Sequence, residues 1–300
     1  MSIEAKAEQE VIITKTSNQL KLSKLKNFFS ILRMNKAAMV GAIIVAIYIF
    51  IALFAPLLAP YDPFEIKLEN KLMPPSTDHW MGTDDKGRDI LSRILYGSRL
   101  SMGVGFAAVL FGAFFGIILG LVAGYYGKWV DTVIMRIMDV MLAFPGILLA
   151  LAIISALGPS LINVTIAVGA FSIPLFARIV RGSTLEVKQL EYIDAIRSLG
   201  ASDAIIIFKH IFPNILSPII VQGTLRLATA ILSAAGLSFL GLGAQPPSPE
   251  WGTMLSNGRD FLFSAPYIAL FPGLAISILV LGFNIFGDGL RDAFDPRMKQ

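Results

Sequence analysis

The sequence predicts an all-α polytopic membrane protein with six transmembrane helices, on the grounds of its composition and its long apolar runs. Of the 300 residues, 55% are hydrophobic and 15% are charged, whereas soluble domains usually carry about 25% charged residues. Mean hydropathy is +0.70. Uncharged runs of about 20 residues, the length that crosses a bilayer as a helix, recur along the chain.

Each predicted span is an apolar run that ends at charged residues, prolines or a turn. The run over residues 140–178 is long enough for two spans, and the turn "LGPSL" (157–161) divides it. Its length is why we expect two crossings there instead of one tilted helix. The predicted spans are residues 37–60, 100–127, the two halves of 140–178, about 214–237 and about 266–286.

Charge placement predicts the orientation of these spans. The arm over residues 1–36 carries seven lysines and arginines against three glutamates, and basic residues beside a span stay cytoplasmic. Six crossings then return the tail, residues 291–300, to the cytoplasm. Residues 61–99 are therefore expected outside, and the arm is expected to touch anionic membrane lipid. Residues 100–290 are expected to form a permease core with five spans and a cytoplasmic coupling loop at 186–213.

Four glycines recur every fourth residue in the second predicted span. Gly112, Gly116, Gly120 and Gly124 share one helical face, which lets a neighbouring backbone approach closely. Packing inside the bundle and contact with another subunit both remain open at this point.

The chain lacks the motifs of a self-powered or catalytic protein. It contains no G-x-x-x-x-G-K-[ST] phosphate loop, no H-E-x-x-H and no G-x-S-x-G, so we expect no catalytic site. The absence of cysteine excludes a thiolate metal site, and we expect no metal or cofactor on this chain. Basic residues lie at the edges of apolar runs, which is not the pattern of nucleic-acid binding. Energy for transport is then expected from a partner, although an ATP-independent channel or carrier remains possible.

A polar hairpin, "EYIDAIRSLGASDAIIIFKHIFPN" (191–214), interrupts the apolar sequence. Two short helices, 191–199 and 202–210, are predicted on either side of Gly200, because glycine accepts the positive φ of a turn. Ile193, Ile196 and Leu199 lie on one face of the first helix. Pro213 falls in the first turn of the following span, where proline is tolerated. Such a hairpin suits a lever between a soluble motor and the bundle.

The segment "DAIRSLGASDAIIIFKHIFP" resembles the EAA loop of ABC importer permeases. Asp194 and Ala195 stand at the acidic and first alanine positions, Gly200 at the glycine and Pro213 at the proline. The sequence departs from the pattern with Asp for Glu, and with Ile196, His210 and Phe212. The resemblance implies a coupling helix that inserts into a groove of an ATPase subunit. The residues expected at that contact are Glu191, Asp194, Ala195, Arg197, Gly200, Ala201 and Pro213.

Three further stretches resemble the oligopeptide, dipeptide and nickel permeases, in particular the second membrane subunit. They are "GTDDKGRDILSRILYGSRLSMGVG" (82–105), "FLGLGAQPPSPEWGTML" (239–255) and "FNIFGDGLRDAFDP" (283–296). The resemblance implies a type I ABC importer permease fold in a bacterial or archaeal cell membrane. It implies a second, different permease, two ATP-binding subunits that hold ATP and magnesium, and an extracytoplasmic substrate-binding protein. Di- or oligopeptides are the expected cargo; nickel, a metallophore or an oligosaccharide are the alternatives.

Two groups of residues are candidates for contact with cargo or with partners. Arg226 lies deep in the fifth predicted span and can hold a peptide carboxylate through two parallel hydrogen bonds; pairing with the other permease is the alternative. Gln222, one turn earlier, is expected on the same pathway. The remaining candidates either meet the binding protein or cap and pair within a short interfacial helix: Asp84, Arg88, Asp89 and Arg93.

Overall fold

The computed structural model describes residues 35–294, so residues 1–34 of the predicted arm and residues 295–300 of the predicted tail lie outside the described residues. Within this range the regular secondary structure is helical, apart from one isolated bridge between Thr83 and Asp89. The helices of eight residues or more are α1 (Lys36–Leu58), α2 (Ile90–Tyr126), α3 (Lys128–Ala143), α4 (Gly146–Leu157), α5 (Leu161–Lys188), α6 (Glu191–Ser198), α7 (Leu216–Phe239), α8 (Trp251–Gly258) and α9 (Tyr267–Phe294).

Five helical stretches in the described range are long and apolar enough to cross a membrane. They are α1, α2, α5, α9 and the continuous stretch Asp203–Phe239 that contains α7. The α3–α4 pair adds a sixth span only if it is counted as one helix bent by 92°. The expected count of six is therefore met when the bent pair is included.

The third predicted span is wrong as an unbroken helix, because it breaks at Phe144 and Pro145. A residue before proline is pushed out of the helical region, and Phe144 is extended, with φ −88° and ψ 134°. Proline also supplies no amide hydrogen to continue the helix. With 12 residues, α4 is about 18 Å long, shorter than a hydrocarbon core of about 30 Å.

The second span begins earlier than predicted. Instead of starting at Leu100, α2 starts at Ile90, where the Asp89 carboxylate accepts from the amide of Ser92 at 2.7 Å. The boundary expected after residue 99 therefore falls inside a helix. With 37 residues, α2 is about 55 Å long, so it extends well beyond the bilayer.

The glycine face of α2 packs against α5, which decides between the two interpretations of that repeat. A Cβ placed on Gly116 would lie 2.4 Å from Cβ of Phe176, and one on Gly124 would lie 2.7 Å from Cβ of Thr184. Gly112 and Gly120 meet α5 in the same way. These glycines serve packing inside the chain.

The remaining spans enclose this pair. A large apolar core includes Met102 of α2, Phe176 of α5, Ile231 of α7 and Phe283 of α9. Close approach of α1 to α9 depends on Gly41, where a Cβ would lie 2.6 Å from the amide nitrogen of Phe286. A second, smaller core lies where α2 and α5 end and holds the polar hairpin.

Candidate functional site: a polar elbow and a polar helix face

The hairpin forms a sharp elbow, defined here as residues 191–215. The amide of Gly200 donates to the carbonyl of Arg197 at 3.0 Å, and the amide of Ala201 donates to that of Ile196 at 3.3 Å. This pair of bonds is a Schellman motif, which ends α6 on a residue with positive φ. Gly200 has φ +84°, so the predicted turn at this glycine is confirmed.

The elbow is anchored in the membrane bundle by apolar side chains. Ile193, Ile206 and Ile211 are fully buried, and they pack with Leu121 of α2 and Val180 of α5. Burial of a side chain of this size contributes about 1.5–3 kcal/mol. The elbow therefore moves with the ends of α2 and α5 as one packed unit.

Polar bonds fix the same junction. The hydroxyl of Tyr125 in α2 donates to the carboxylate of Asp203 at 2.6 Å. The ammonium of Lys188 at the end of α5 donates to the carbonyl of Tyr125 at 2.5 Å. Directional bonds of this kind set the angle at which the elbow leaves the bundle.

The outward side of the elbow collects the predicted coupling residues. Glu191, Asp194, Ala195, Arg197, Gly200 and Pro213 are exposed, and Ala201 is half-buried. Asp194 and Arg197 form an exposed ion pair at 3.0 Å, which contributes about 0–1 kcal/mol. Charge alone is therefore a weak basis for a tight contact at this surface.

Three apolar side chains on that outward side were not among the predicted contact residues. Leu199 is 87% exposed, Phe208 68% and Ile205 48%. Leu199 shares the predicted apolar face of Ile193 and Ile196, but it follows the last residue of α6 and points away from the core. Their signal in the sequence was the presence of apolar residues within an otherwise charged hairpin. We name Leu199, Ile205 and Phe208 the elbow knobs.

The elbow continues into the next span without a break. Pro213 has no amide hydrogen and its ring clashes with the carbonyl four residues earlier. The chain responds with a π turn at Ile206–Ile211 and a 3₁₀ turn at Phe212–Ile215, and the amide of Phe212 bonds to the carbonyl of Ile207. One helical stretch therefore runs from Asp203 to Phe239, across the boundary predicted at Asn214.

A stripe of polar and small residues follows one face of α7. At 100° per residue, its members fall within an arc of about 80°, and each is half-buried or exposed. Sequence reasoning found Gln222 and Arg226 but missed the rest, although a spacing of three or four residues was the available signal. The stripe, named here the polar face, comprises Gln222, Arg226, Thr229, Ser233 and Gly236.

Arg226 is the only charged member of the polar face. Its guanidinium is half-buried, and among the described residues no side chain or carbonyl accepts a hydrogen bond from it. Gln222, one turn away, lines a cavity of about 460 Å³ between α5, α7 and α9, together with Ser217 and Arg291. The polar face thus leads from the middle of a span into an open cavity.

The four charged residues that were candidates either for contact with a binding protein or for capping and pairing are buried. Asp84, Arg88, Asp89 and Arg93 are each at most 6% exposed, so they offer no contact surface in this chain. Arg88 donates to Asp84 at 2.7 Å. Asp89 caps α2 and accepts from the ring of His79 at 2.9 Å. The capping and pairing interpretation is the one that the structure supports, because each charge has an internal partner.

Arg93 illustrates what this cluster does. Its guanidinium donates to the carbonyl of Pro63 at 2.8 Å and to those of Pro247 and Ser248 at 3.3 Å each. It also lies 3.6 Å from Asp84. Arg93 therefore ties the segment after α1 and the loop before α8 to the start of α2.

Replacing Arg93 by alanine is expected to destabilise the chain by about 3–5 kcal/mol, because it leaves buried Asp84 and three carbonyls short of a donor. Thermal unfolding of the purified chain in detergent measures the effect. Arg99→Ala is the matched control, since Arg99 is an exposed arginine on the same helix. Equal melting temperatures for the two variants would contradict this account of Arg93.

Comparisons with known proteins assign the chain to a family. The profile described as "Binding-protein-dependent transport system inner membrane component" matches residues 116–300. The profile "N-terminal TM domain of oligopeptide transport permease C" matches residues 23–75. Together the two cover most of the sequence, and the second includes α1 and part of the segment that follows it.

Named relatives agree with these profiles. The "Dipeptide transport system permease protein DppC" of Alkalihalophilus pseudofirmus is 55% identical over 278 residues, 93% of this chain and 91% of that protein. The "Glutathione transport system permease protein GsiD" of Pectobacterium atrosepticum is 52% identical over 263 residues, 87% of each chain.

A solved structure supports the fold. A chain of the inward-facing MetNI methionine ABC transporter superposes with a TM-score of 0.54 at 19% identity, covering 69% of this chain and 98% of that chain. At this identity the match bears on the fold alone, and it agrees with the predicted type I importer permease architecture. The chain therefore belongs to the binding-protein-dependent transport system inner membrane components, and within them to the oligopeptide permease C type.

Proposed function

We propose that this chain forms half of the translocation pathway for di- or oligopeptides in an ATP-driven importer. The observation that carries the proposal is the polar face of α7. Polar and charged groups are costly against hydrocarbon, yet this stripe extends over most of a helix about 36 Å long. A stripe of that length is best accounted for by a wet pathway that this helix shares with a second subunit.

The relatives support a peptide cargo. One is named for dipeptides and another for glutathione, itself a short peptide. A peptide ends in a carboxylate, and Arg226 offers the planar pair of donors that binds a carboxylate through two hydrogen bonds. Nickel, a metallophore or an oligosaccharide carries no such required end group, which is why we place those cargoes second.

The elbow knobs support an external motor. Large apolar side chains that this chain leaves uncovered, on an elbow expected at the cytoplasmic side, are suited to insertion into a groove of another protein. In this proposal two ATP-binding subunits hold ATP and magnesium, and this chain binds neither and catalyses nothing. A second permease completes the pathway, and an extracytoplasmic binding protein delivers the cargo. Both termini face the cytoplasm.

A mechanical route connects the elbow to the pathway. Force applied at the elbow knobs passes into the Asp203–Phe239 helical stretch, which carries the polar face. The same force reaches α5 through the small core. Arg181 of α5 holds Asp131 of α3 through two bonds of 2.5 and 2.6 Å, so the bent α3–α4 pair follows. Closure of the motor would thus turn several helices together.

Reconstitution tests the proposal as a whole. Liposomes that contain the complete set of subunits should accumulate peptide only with ATP and the binding protein, and liposomes with this chain alone should not. Peptide flux through the chain alone would favour an ATP-independent channel or carrier. ATP-driven uptake of nickel or an oligosaccharide, with no uptake of peptide, would select the alternative cargo.

Arg226→Gln is expected to lower uptake of a dipeptide with a free carboxylate by about 10- to 100-fold. The reason is the loss of charge-assisted hydrogen bonds worth about 1.5–3 kcal/mol. Uptake of the same dipeptide with an amidated end should change little, because it has no carboxylate to lose. Arg226→Lys keeps the charge but loses the planar pair of donors. Its uptake of the free dipeptide should therefore lie between that of the parent and that of Arg226→Gln. An equal loss for both substrates would instead indicate a structural role for Arg226.

A further inference from the structure

Two neighbouring cavities lie near the end of α1 and the start of α2. The lower one has a volume of about 320 Å³ and lies between α1, α2, α8 and α9, with Tyr48, Trp251 and Phe271 among its walls. The upper one has a volume of about 290 Å³ and is lined by Leu58, Tyr61, Thr77, Asp78 and Trp80. Leu91, in the first turn of α2, lines both.

The lower cavity is lined mainly by apolar side chains. The hydroxyl of Tyr48 donates to the carbonyl of Ala275 at 3.0 Å, and the indole of Trp251 donates to that of Ile94 at 3.0 Å. The hydroxyl of Ser98 donates to the carbonyl of Leu95 at 2.6 Å. A buried water needs two to four polar partners, and the donor hydrogens of these three side chains are already engaged. An apolar occupant therefore suits this space best.

The upper cavity has the opposite character. Thr77 and Asp78 are exposed, and among the described residues neither side chain has a hydrogen-bond partner. The hydroxyl of Tyr61 donates to the backbone carbonyl of Asp78 at 2.8 Å, which holds this turn over the cavity. Trp80 is 73% exposed, as expected for an aromatic residue at a membrane interface. The upper cavity therefore offers acceptors to a polar group that donates hydrogen bonds.

We propose that the two cavities are one binding site for a membrane phospholipid. One acyl chain fills the lower cavity, and a head group with an ammonium or hydroxyl donor lies against Thr77 and Asp78. A transmembrane helix of another subunit is about 10–12 Å wide and is too thick for a cavity of about 320 Å³. The bound lipid packs between α1, the outer segment and α9, so it stabilises the attachment of α1 to the core.

Fluorescence quenching by a brominated lipid tests this site. The chain has three tryptophans, and Trp80→Phe with Trp129→Phe leaves Trp251 alone at the wall of the lower cavity. The full chain in detergent is titrated with a phosphatidylethanolamine that is brominated on its acyl chain. We expect quenching of Trp251 that saturates near one lipid per chain, although Trp251 is inaccessible to solvent.

A matched pair of variants identifies the cavity. Ile278→Phe narrows the lower cavity and should weaken lipid binding at least tenfold. Leu281→Phe lies on the same helix, is 53% exposed and is not part of the cavity wall, so binding should be unchanged. Native mass spectrometry of the gently purified chain is the second readout, with one retained phospholipid in the control and none in Ile278→Phe.

Three results would overturn the proposal. The first is the absence of quenching at Trp251, and the second is quenching that rises in proportion to bulk lipid and is equal in both variants. The third is a protein adduct in place of a lipid adduct when a photocrosslinking residue stands at position 91 in intact membranes. Such an adduct would show that another polypeptide fills the two cavities.

Discussion

Leu199→Asp is expected to abolish ATP-driven uptake while the chain remains folded. Leu199 is 87% exposed at the tip of the elbow, so its replacement removes little internal packing. In the proposed contact, however, an aspartate would enter an apolar groove, and an unpaired carboxylate is far more costly to desolvate than leucine. Contacts of this kind are dominated by a few central side chains, each contributing 2 kcal/mol or more.

Two measurements separate the effects of this change. Co-purification of the ATP-binding subunits with the permease should fall at least tenfold, and the melting temperature of the isolated chain should stay within about 2 °C of the parent. Leu199→Ala should lower co-purification of the ATP-binding subunits to an intermediate extent. Leu68→Asp is the control, since Leu68 is 70% exposed but lies in the segment after α1. Full uptake by Leu199→Asp would show that the elbow knobs take no part in coupling.

Gly116→Val is expected to destabilise the bundle strongly. The first added carbon alone would lie 2.4 Å from Cβ of Phe176 and 2.8 Å from the carbonyl oxygen of Ile173. A backbone carbonyl cannot be moved by a change of rotamer, so α2 and α5 must separate. Overpacking typically costs about 1–3 kcal/mol, and the loss of contact along neighbouring turns adds to that cost.

Gly103→Val on the same helix is the matched control, because a Cβ at Gly103 meets nothing within 4 Å. Both variants add the same side chain to α2 and alter its helix propensity equally. Yield and melting temperature of the chain in detergent should be near the parent values for Gly103→Val and strongly reduced for Gly116→Val. Similar stability of the two would contradict the tight α2–α5 contact.

Much of the fold could be predicted from local sequence features. Apolar runs bounded by charge predicted the helices, because the bilayer imposes a length and an apolar composition on any span. The predicted span boundaries were wrong at two places where other residues had more influence than the length of the apolar run. At Phe144 and Pro145 the proline broke a run that had the right length, and at Ile90 a helix began among charges that the run-based rule places outside a span.

The candidate site was predicted unevenly for the same reason. The turn at Gly200 was predicted because glycine accepts a positive φ, and the observed φ of +84° agrees. Arg93 was misplaced, because its carbonyl partners at Pro63 and Pro247 lie 30 and 154 residues away. The polar face was predicted only in part. Thr229, Ser233 and Gly236 give no signal one by one, and they form a stripe only because they share a helix face with Arg226.

The sequence by itself determined the class of molecule, its helical spans, the turn at Gly200 and its family likeness, because these depend on composition and on residues close together in the chain. Only the tertiary structure decided that the glycine face meets α5 and that four outer charges are buried. It also decided that one helical stretch joins the elbow to the polar face. These outcomes depend on which distant backbones approach within van der Waals contact, a property that belongs to the packed molecule and not to any local segment.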